Sequence, residues 1–284
     1  MAKQEENWSL VIEPQSNWWD LKLGEIWDYR DLVWIFVRRD IVAVYKQTVL
    51  GPLWFFLAPL FTVFAYTFIF GAIAGMSTDG VPGPVFYLAG TTLWGYFQTS
   101  FMATSATFTG NAAIFGKVYF PRMVAPISTV LSSLFKFGVQ MLMFLAFIAY
   151  YTFFEESTVH FTKWVLLFPI LVVMMSGLSL GVGIIISALT TKYRDLKNFV
   201  GFGVSLLMYI TPVIYPVSAV PENFKWLTRY NPIAPIIEAF RLGFTGSGTV
   251  EIIDLAYSGI FITIVLVIGM MMFHRVEKTF MDTV

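Results

Sequence analysis

The residues best suited to chemistry are few in this chain and far apart. It contains two histidines, His160 and His274, and no cysteine. A hydrolase or transferase site needs a nucleophile, a general base or a metal cluster gathered at one place. The topology derived below puts the two histidines on opposite sides of a membrane. The sequence therefore argues against a membrane enzyme and predicts no metal site.

One segment comes close to a nucleotide-binding loop. It reads Gly110-Asn-Ala-Ala-Ile-Phe-Gly116-Lys117-Val118, against a pattern of two glycines followed by Lys and then Ser or Thr. Five residues separate its glycines where the pattern has about four, and Val118 stands where a hydroxyl would meet magnesium. The segment is therefore not a phosphate-binding loop. We interpret 111–120 as a short cytoplasmic helix with an apolar side; the alternative is an interfacial connector.

A second set of residues suits a carbohydrate. Along one predicted helix an aromatic row runs beside a polar row, and the preceding helix repeats the aromatic row at the same seven-residue spacing. The residues are Trp94 and Phe101 with Thr91, Gln98 and Ser105 beside them, and Trp54, Phe61 and Phe68 on the preceding helix. Sugar hydroxyls need hydrogen-bond partners and sugar C–H faces stack on flat rings, whereas hydroxyl and amide groups facing lipid are costly. We predict a substrate channel lined by these residues; the alternative is aromatic core packing with hydroxyls bonded to their own helix backbone.

The elements that must position these residues are membrane helices. The chain is 57% hydrophobic and 13% charged, which is too apolar for a soluble domain. Stretches near the ~20 apolar residues that cross a ~30 Å hydrocarbon core occur at 52–74, 85–107, 130–154, 165–189, 198–217 and 255–273. The sequence predicts an all-α membrane protein with six transmembrane helices per subunit in one domain, 51–284, after a cytoplasmic arm at 1–50.

Basic residues orient these spans, because Lys and Arg are retained on the cytoplasmic side. Lys163 lies in the second outer loop, but ten basic residues near the span ends fall on the other side: Arg38, Arg39, Lys46, Lys117, Arg122, Lys192, Arg194, Lys197, Arg275 and Lys278. Lys225, Arg229 and Arg241 lie in a long outer loop, and long loops translocate largely regardless of charge. Both termini are predicted to be cytoplasmic. Nucleic-acid binding is not expected, since the basic residues form no patch.

The N-terminal arm is predicted to contain a helix lying at the lipid headgroups. Asn17 to Asp20 can cap a helix, and apolar residues then recur at near-helical spacing among charges, as is typical of an interfacial helix. These residues are Trp27, Trp34, Ile35, Val37, Ile41 and Val44. The alternative is an ordinary packed cytoplasmic helix.

The third outer loop, 218–250, contains an apolar segment, 233–244, that is too short to span. It predicts short helices that re-enter the membrane from outside between spans 5 and 6. Glu238 and Arg241 are three residues apart there and can pair, which offsets the cost of placing either charge at depth; the alternative is that both face water. Lys136, inside the third span, is predicted to extend to the cytoplasmic interface, with a functional role as the alternative.

Four stretches together resemble one protein family. The run WDYRDLVWIFVRRDIVAVYKQTVLGPLWFFLAPL (27–60) is similar to the entrance segment of the membrane-spanning subunits of ABC-type polysaccharide exporters. Three more agree in order and spacing: NAAIFGKVYFPRMVAPIS (111–128), KYRDLKNFVGFGVSLLMYITPVIYP (192–216) and YNPIAPIIEAFRLGFTG (230–246). The family moves O-antigen, teichoic acid and related lipid-linked glycans out of bacteria. The resemblance implies a homodimer in the bacterial cell (inner) membrane, each subunit docked to a separate ATP-binding cassette ATPase, with the substrate path between the halves.

The resemblance also implies roles for particular residues. It puts Arg38, Arg39, Asp40 and Lys46 at the cytoplasmic entrance, Ile114, Phe115, Lys117, Tyr119 and Arg122 at a helix seated in the ATPase, and Tyr230, Asn231, Glu238 and Arg241 at an outer gate. The expected function is that of the channel-forming subunit of an ATP-driven exporter of a lipid-linked polysaccharide. No cofactor is then expected on this chain, because ATP and Mg²⁺ belong to the partner ATPase. The alternative is a small-molecule, drug or lipid exporter permease of the same superfamily.

Overall fold

A computed structural model describes residues 23–46, 49–118, 120–155, 158–193 and 195–279. Within these ranges the chain is helical and contains no strand. The α-helices are α1 (Leu23–Asp28), α2 (Arg30–Tyr45), α3 (Trp54–Tyr66), α4 (Gly83–Ser105), α5 (Thr107–Phe115), α6 (Val124–Phe154), α7 (Phe168–Lys192), α8 (Leu196–Ile210), α9 (Lys225–Arg229), α10 (Ala234–Thr245) and α11 (Ile252–Thr279). A π-helical stretch, Thr67–Ile73, continues α3.

Four helices in the described ranges are long and apolar enough to cross a bilayer: Trp54–Ile73, Val124–Phe154, Lys163–Thr191 and Ile252–Val276. They coincide with predicted spans 1, 3, 4 and 6. Predicted span 2 falls on α4, whose 23 residues extend about 35 Å but include more polar side chains. Predicted span 5 falls on α8. An all-helical membrane protein is confirmed, while six spans remain a prediction.

Helix α8 is shorter than the predicted span at 198–217. It has 15 residues, or about 22 Å of helix, and ends at Ile210. The next residue, Thr211, adopts an extended backbone with ψ 139° because it precedes Pro212, whose ring disfavours the helical region for the residue before it. The sequence stays apolar on both sides of Thr211-Pro212, but the helix ends before this dipeptide.

Helix α4 lies at the centre of the bundle. It packs against α6, α7 and α10, and α7 packs in turn against α11. Most α4 side chains are buried, including Phe86, Tyr87, Trp94 and Tyr96. Because α4 is surrounded by protein, its polar residues avoid contact with lipid, although several of them have no hydrogen-bond partner in the described chain: Tyr87, Thr92, Trp94 and Thr104. This explains how the least apolar of the long helices can occupy the middle of the fold.

Helix α2 packs on the first turns of α6. It buries Val33, Phe36 and Val37 in a cluster with residues of α5 and α6, and it exposes Trp34 and Ile35. Val37 is thus on the packed side rather than on the predicted lipid-facing row. The exposed Trp34 suits a membrane interface, so placement at the headgroups stays a prediction. The capping segment from Asn17 to Asp20 lies outside the described residues, and the division at residue 50 is untested.

Candidate functional site

The most completely buried charges of the described chain lie on α10. Arg241 Nη1 donates to Glu238 Oε1 at 2.6 Å, and the two side chains are only 1% and 4% exposed. The spacing of three residues on one helix places both side chains on the same face. The predicted ion pair is confirmed. Isolated charges at this depth would be strongly unfavourable, so the pair is a condition for burying α10.

The pair ties α10 to three other parts of the fold. Arg241 Nη2 donates to the carbonyl oxygens of Pro212 at 3.0 Å and Val213 at 3.1 Å, just beyond the end of α8. The guanidinium carbon also lies 4.0 Å from the centroid of the Phe86 ring on α4. Glu238 Oε2 accepts the backbone N–H of Thr249 at 3.2 Å, in the segment that leads to α11. Arg241 and Glu238 therefore hold in place the turn that follows α8 and the segment that leads to α11.

The other two predicted gate residues behave differently from each other. Asn231 is buried; its Nδ2 donates to Thr211 Oγ1 at 2.8 Å, and its Oδ1 accepts the N–H of Ile233 at 2.9 Å. Tyr230 has an exposed ring, and its carbonyl oxygen accepts the hydroxyl of Tyr257 at 3.0 Å. The structure gathers Asn231, Glu238 and Arg241 around the end of α8. Their role as a gate, and re-entry of α10 into the membrane, stay predictions.

The predicted channel residues do not share one surface in this subunit. Trp54 and Phe61 on α3 and Phe68 on its π-helical continuation are exposed. By contrast, Trp94 is 2% and Phe101 5% exposed within the core. Gln98 is half-buried. Thr91 Oγ1 donates to the Tyr87 carbonyl and Ser105 Oγ to the Met102 carbonyl, each at 2.7 Å, as the core-packing alternative expects for helix hydroxyls. A channel role for these residues stays a prediction, and Trp94 and Phe101 are almost fully buried in this conformation.

Phe101 instead faces an apolar cleft of about 450 Å³ between α4, α7, α8 and α11. Phe97 and Phe101 stack nearly parallel in its wall, with 5.7 Å between ring centroids. Leu178 of α7, Val204 of α8 and Phe261 of α11 form other parts of the lining. A glycan would find few hydrogen-bond partners here, so we expect hydrocarbon rather than sugar in this cleft.

The predicted coupling helix is displaced from its expected bounds. Helix α5 covers Thr107–Phe115 and ends at Gly116, whereas the sequence predicted 111–120. Phe115 is buried between the rings of Phe108 and Phe120, at centroid distances of 6.2 and 5.7 Å. The apolar side predicted for 111–120 thus faces the protein interior at Phe115, and a role for Phe115 in seating the helix in the ATPase stays a prediction. Where α4 ends and α5 begins, the buried hydroxyl of Thr107 donates to the carbonyl oxygen of Thr104.

The exposed part of this connection is its tip. Lys117 and Val118 are exposed, Ile114 is half-buried, and Tyr119 lies outside the described residues. The Arg122 guanidinium lies 5.7 Å from the Phe115 ring centroid. A partner that binds this connection would therefore contact Lys117 and Val118. Phe115 and Arg122 pack on the interior side of these two residues.

The predicted cytoplasmic entrance is a polar turn of α2 and the residue after the helix. Arg39 Nη2 lies 2.8 Å from Asp40 Oδ1, and the Arg39 guanidinium carbon is 4.5 Å from the Phe36 ring centroid. Arg38 and Lys46 are exposed. Exposed ion pairs of this kind contribute little to stability. These residues are thus available for lipid headgroups or substrate, and that role stays a prediction.

Comparison with known proteins identifies the family. The family described as ABC-2 type transporter matches residues 31–245. The chain belongs to this family. The O-antigen export system permease protein RfbA of Klebsiella pneumoniae is 32% identical over 254 residues, covering 89% of this chain and 94% of that protein. A protein of the same name from Myxococcus xanthus is 28% identical over 220 residues, 76% of this chain and 81% of that protein. Polysialic acid transport protein KpsM of Escherichia coli is 23% identical over 250 residues, 86% and 93% of the two chains.

The family match covers most of this ABC-2 chain, from α2 to the end of α10. It therefore includes the entrance turn, the α5 connection and the buried Arg241–Glu238 pair. The resemblance noted in the sequence is confirmed at the family level. Sequence reasoning missed the carbonyl groups of Pro212 and Val213 as partners of Arg241, although the Thr211-Pro212 dipeptide was a visible signal of a chain turn.

The tip of the α5 connection gives a testable prediction for this ABC-2 subunit. Val118→Asp should leave the subunit folded, because the side chain is exposed, but it should weaken ATPase co-purification by roughly tenfold or more, since an interface would desolvate the new charge. Phe115→Asp should instead lower the yield of folded subunit, because its charge would be buried without a partner. Size-exclusion chromatography and pull-down separate the two effects. Undiminished co-purification of Val118→Asp would mean that this segment is only a connector.

Proposed function

We propose that this ABC-2 transporter chain is the channel-forming subunit of an exporter that moves a lipid-linked polysaccharide out of the bacterial cytoplasm. The observation that carries the proposal is the similarity to a named O-antigen export permease over 94% of that protein's length. The agreement extends across the helices that form the fold, so it is not limited to a short motif. A second polysaccharide transport protein is similar over nearly the same region.

Energy for the transport is proposed to come from a separate ATPase. The sequence between Gly110 and Val118 has neither the glycine spacing nor the hydroxyl residue of a phosphate-binding loop. Two ATP-binding cassette subunits would therefore hold ATP and Mg²⁺ and contact the exposed tip at Lys117 and Val118. Six spans, cytoplasmic termini and the bacterial inner membrane belong to the same proposal, supported by the basic residues near the span ends.

The glycan path is proposed to lie between two copies of the chain. Helix α3 and its π-helical continuation expose a long aromatic face that includes Trp54, Phe61 and Phe68. Helix α8 exposes Phe199, Phe202 and Tyr209. Such a large exposed aromatic surface on a spanning helix suits packing against a second copy and stacking on sugar rings. In this revised proposal Trp94 and Phe101 support the wall from within the subunit, and the α3 rings contact the substrate.

Depleting the chain in its source bacterium tests this function. We expect cell-surface glycan to fall and lipid-linked glycan to accumulate on the cytoplasmic side, because synthesis continues while export stops. Surface labelling with a glycan-specific antibody or lectin, before and after permeabilisation, measures both pools. Expression of the wild-type chain should restore the surface pool. Unchanged surface glycan together with altered drug or lipid efflux would favour the small-molecule exporter instead.

A further inference from the structure

Lys136 is a cation inside the apolar helix α6 and has little to neutralise it. Its Nζ lies 3.4 Å from Thr99 Oγ1 of α4, and in the described ranges the ammonium has no carboxylate partner. An ammonium group has three N–H donors, so one long contact leaves most of its hydrogen-bonding capacity unused. Charged groups at such positions are costly and mark functional sites.

Gln140 lies one turn further along α6 on the same face. Its side chain is 8% exposed and makes no hydrogen bond within the described part of the chain. The amide lies against Gly95 of α4, with Oε1 3.4 Å and Nε2 3.8 Å from the point where a β-carbon on Gly95 would stand. The amide oxygen and nitrogen are not among the fully enclosed atoms that lack a partner, so a ligand outside the subunit can reach them and form hydrogen bonds with them.

The two contacts lie one helical turn apart on both α4 and α6, so they belong to one continuous seam between the helices. Lys136 faces Thr99 and Gln140 faces Gly95, so one turn of α6 matches one turn of the antiparallel α4. Met102 and Ala103, in the next turn of α4, are exposed. The α4–α6 seam, defined by these four facing residues, is therefore open at one end. Its hydrogen-bond donors come from a fixed ammonium and an adjacent amide.

The depth of the seam suits a lipid headgroup. Phe154, at the end of α6, is eighteen positions after Lys136, which is about 27 Å of helix and close to the ~30 Å thickness of the hydrocarbon core. In the proposed orientation Lys136 thus lies near the inner boundary of the core, where lipid phosphates begin. A lysine that only extended to water would point along the membrane normal, whereas this one points across to Thr99.

We propose that the α4–α6 seam binds the phosphate group of a lipid in the cytoplasmic leaflet. Lys136 supplies the charge, and the Gln140 amide and Thr99 hydroxyl supply further hydrogen bonds, as phosphate oxygens require. The lipid is either a membrane phospholipid or the phosphate-bearing carrier of the glycan. The second source rests on the proposed function; the first does not, and both share the same binding chemistry.

Native mass spectrometry of the purified full-length chain tests the site directly. The probes are phosphatidic acid, a polyisoprenyl phosphate and phosphatidylcholine, each added to delipidated protein. Lys136→Met should weaken binding of one or both phosphate-monoester lipids by roughly tenfold or more, and Lys136→Arg should retain it within a few-fold, because hydrogen bonds to charged groups carry that much affinity. If the wild-type chain retains the polyisoprenyl phosphate more strongly than phosphatidic acid, the ligand is the glycan carrier. If it retains the two lipids equally, the site is a phospholipid site.

Two controls make the result interpretable. Lys225→Met removes an exposed lysine that pairs with Glu222, and it should leave binding unchanged. Gln140→Leu keeps the lysine but removes the amide, and it should weaken binding by a smaller factor while leaving the elution profile of the protein unchanged. Lys136→Met protein that elutes normally and binds both phosphates as wild type does would overturn the proposal. Glycan export is not measured here, so failure of the proposed function would appear only in the depletion experiment.

Discussion

Arg241→Ala is expected to remove most of the stability of the protein and to reduce strongly the yield of folded subunit. The substitution leaves Glu238 buried and unpaired, and breaking a buried pair in this way costs about 3–5 kcal/mol. It also frees the carbonyl groups of Pro212 and Val213 beyond α8. A domain typically has only about 5–15 kcal/mol of stability, so the loss is a large part of the total. Thermal unfolding of detergent-solubilised protein, followed by size-exclusion chromatography, measures it.

The double variant Glu238→Leu/Arg241→Met separates the pair from the surrounding packing. Replacing both buried charges with apolar groups of similar size removes the unpaired charge, so the double variant should be more stable than Arg241→Ala. Lys225→Ala breaks an exposed pair with Glu222 and should shift stability by less than about 1 kcal/mol. If Arg241→Ala were as stable as Lys225→Ala, the pair would not hold α10 in place.

Gly90→Ala is expected to produce the second largest loss. A β-carbon on Gly90 would stand 2.2 Å from the carbonyl oxygen of Val213 and 3.2 Å from Arg241 Nη2. The oxygen belongs to the backbone, so it cannot rotate away, and α4 must separate from the turn that follows α8. Such overpacking costs about 1–3 kcal/mol and at times more. The same unfolding measurement detects it as a lower midpoint temperature.

Gly95→Ala is the matched control on the same helix. The nearest atom to its added β-carbon is Gln140 Oε1 at 3.4 Å, which is an ordinary contact with a side chain that can adjust. Alanine also favours a helix interior over glycine by about 0.5–1 kcal/mol. Gly95→Ala should therefore equal or exceed the wild type in stability. Equal effects of the two substitutions would argue against a close contact between α4 and Val213.

Sequence reasoning succeeded where a local rule determines the outcome. The apolar stretches located the long helices because a span requires a minimum length. The spacing of Glu238 and Arg241 predicted their pairing because residues three apart on a helix are neighbours. The end of α8 at Thr211 follows from a local rule as well, the restriction before Pro212, but hydropathy alone concealed it.

The predictions that differ from the structure concern which side of a helix faces the protein interior. The spacing of Trp94 and Phe101 is helical, yet in a membrane both lipid-facing and core-facing positions are apolar, so periodicity does not distinguish them. For the same reason, the apolar side predicted for 111–120 did not reveal that Phe115 packs inward. Contacts between distant parts of the chain decided these cases. Gly90 likewise reveals its role only once α4 and the turn after α8 are side by side.

Reconstitution with the partner ATPase tests the central claim most directly. Proteoliposomes containing the chain, its ATPase and a fluorescent lipid-linked glycan should move the glycan across the membrane on addition of ATP and Mg²⁺, as measured by protection from an added glycosidase. Liposomes with either protein alone should show no movement, and those with the Val118→Asp chain should show much less. ATP-dependent glycan movement by the ATPase without this chain, or no movement by an assembled and ATP-hydrolysing complex, would contradict the account.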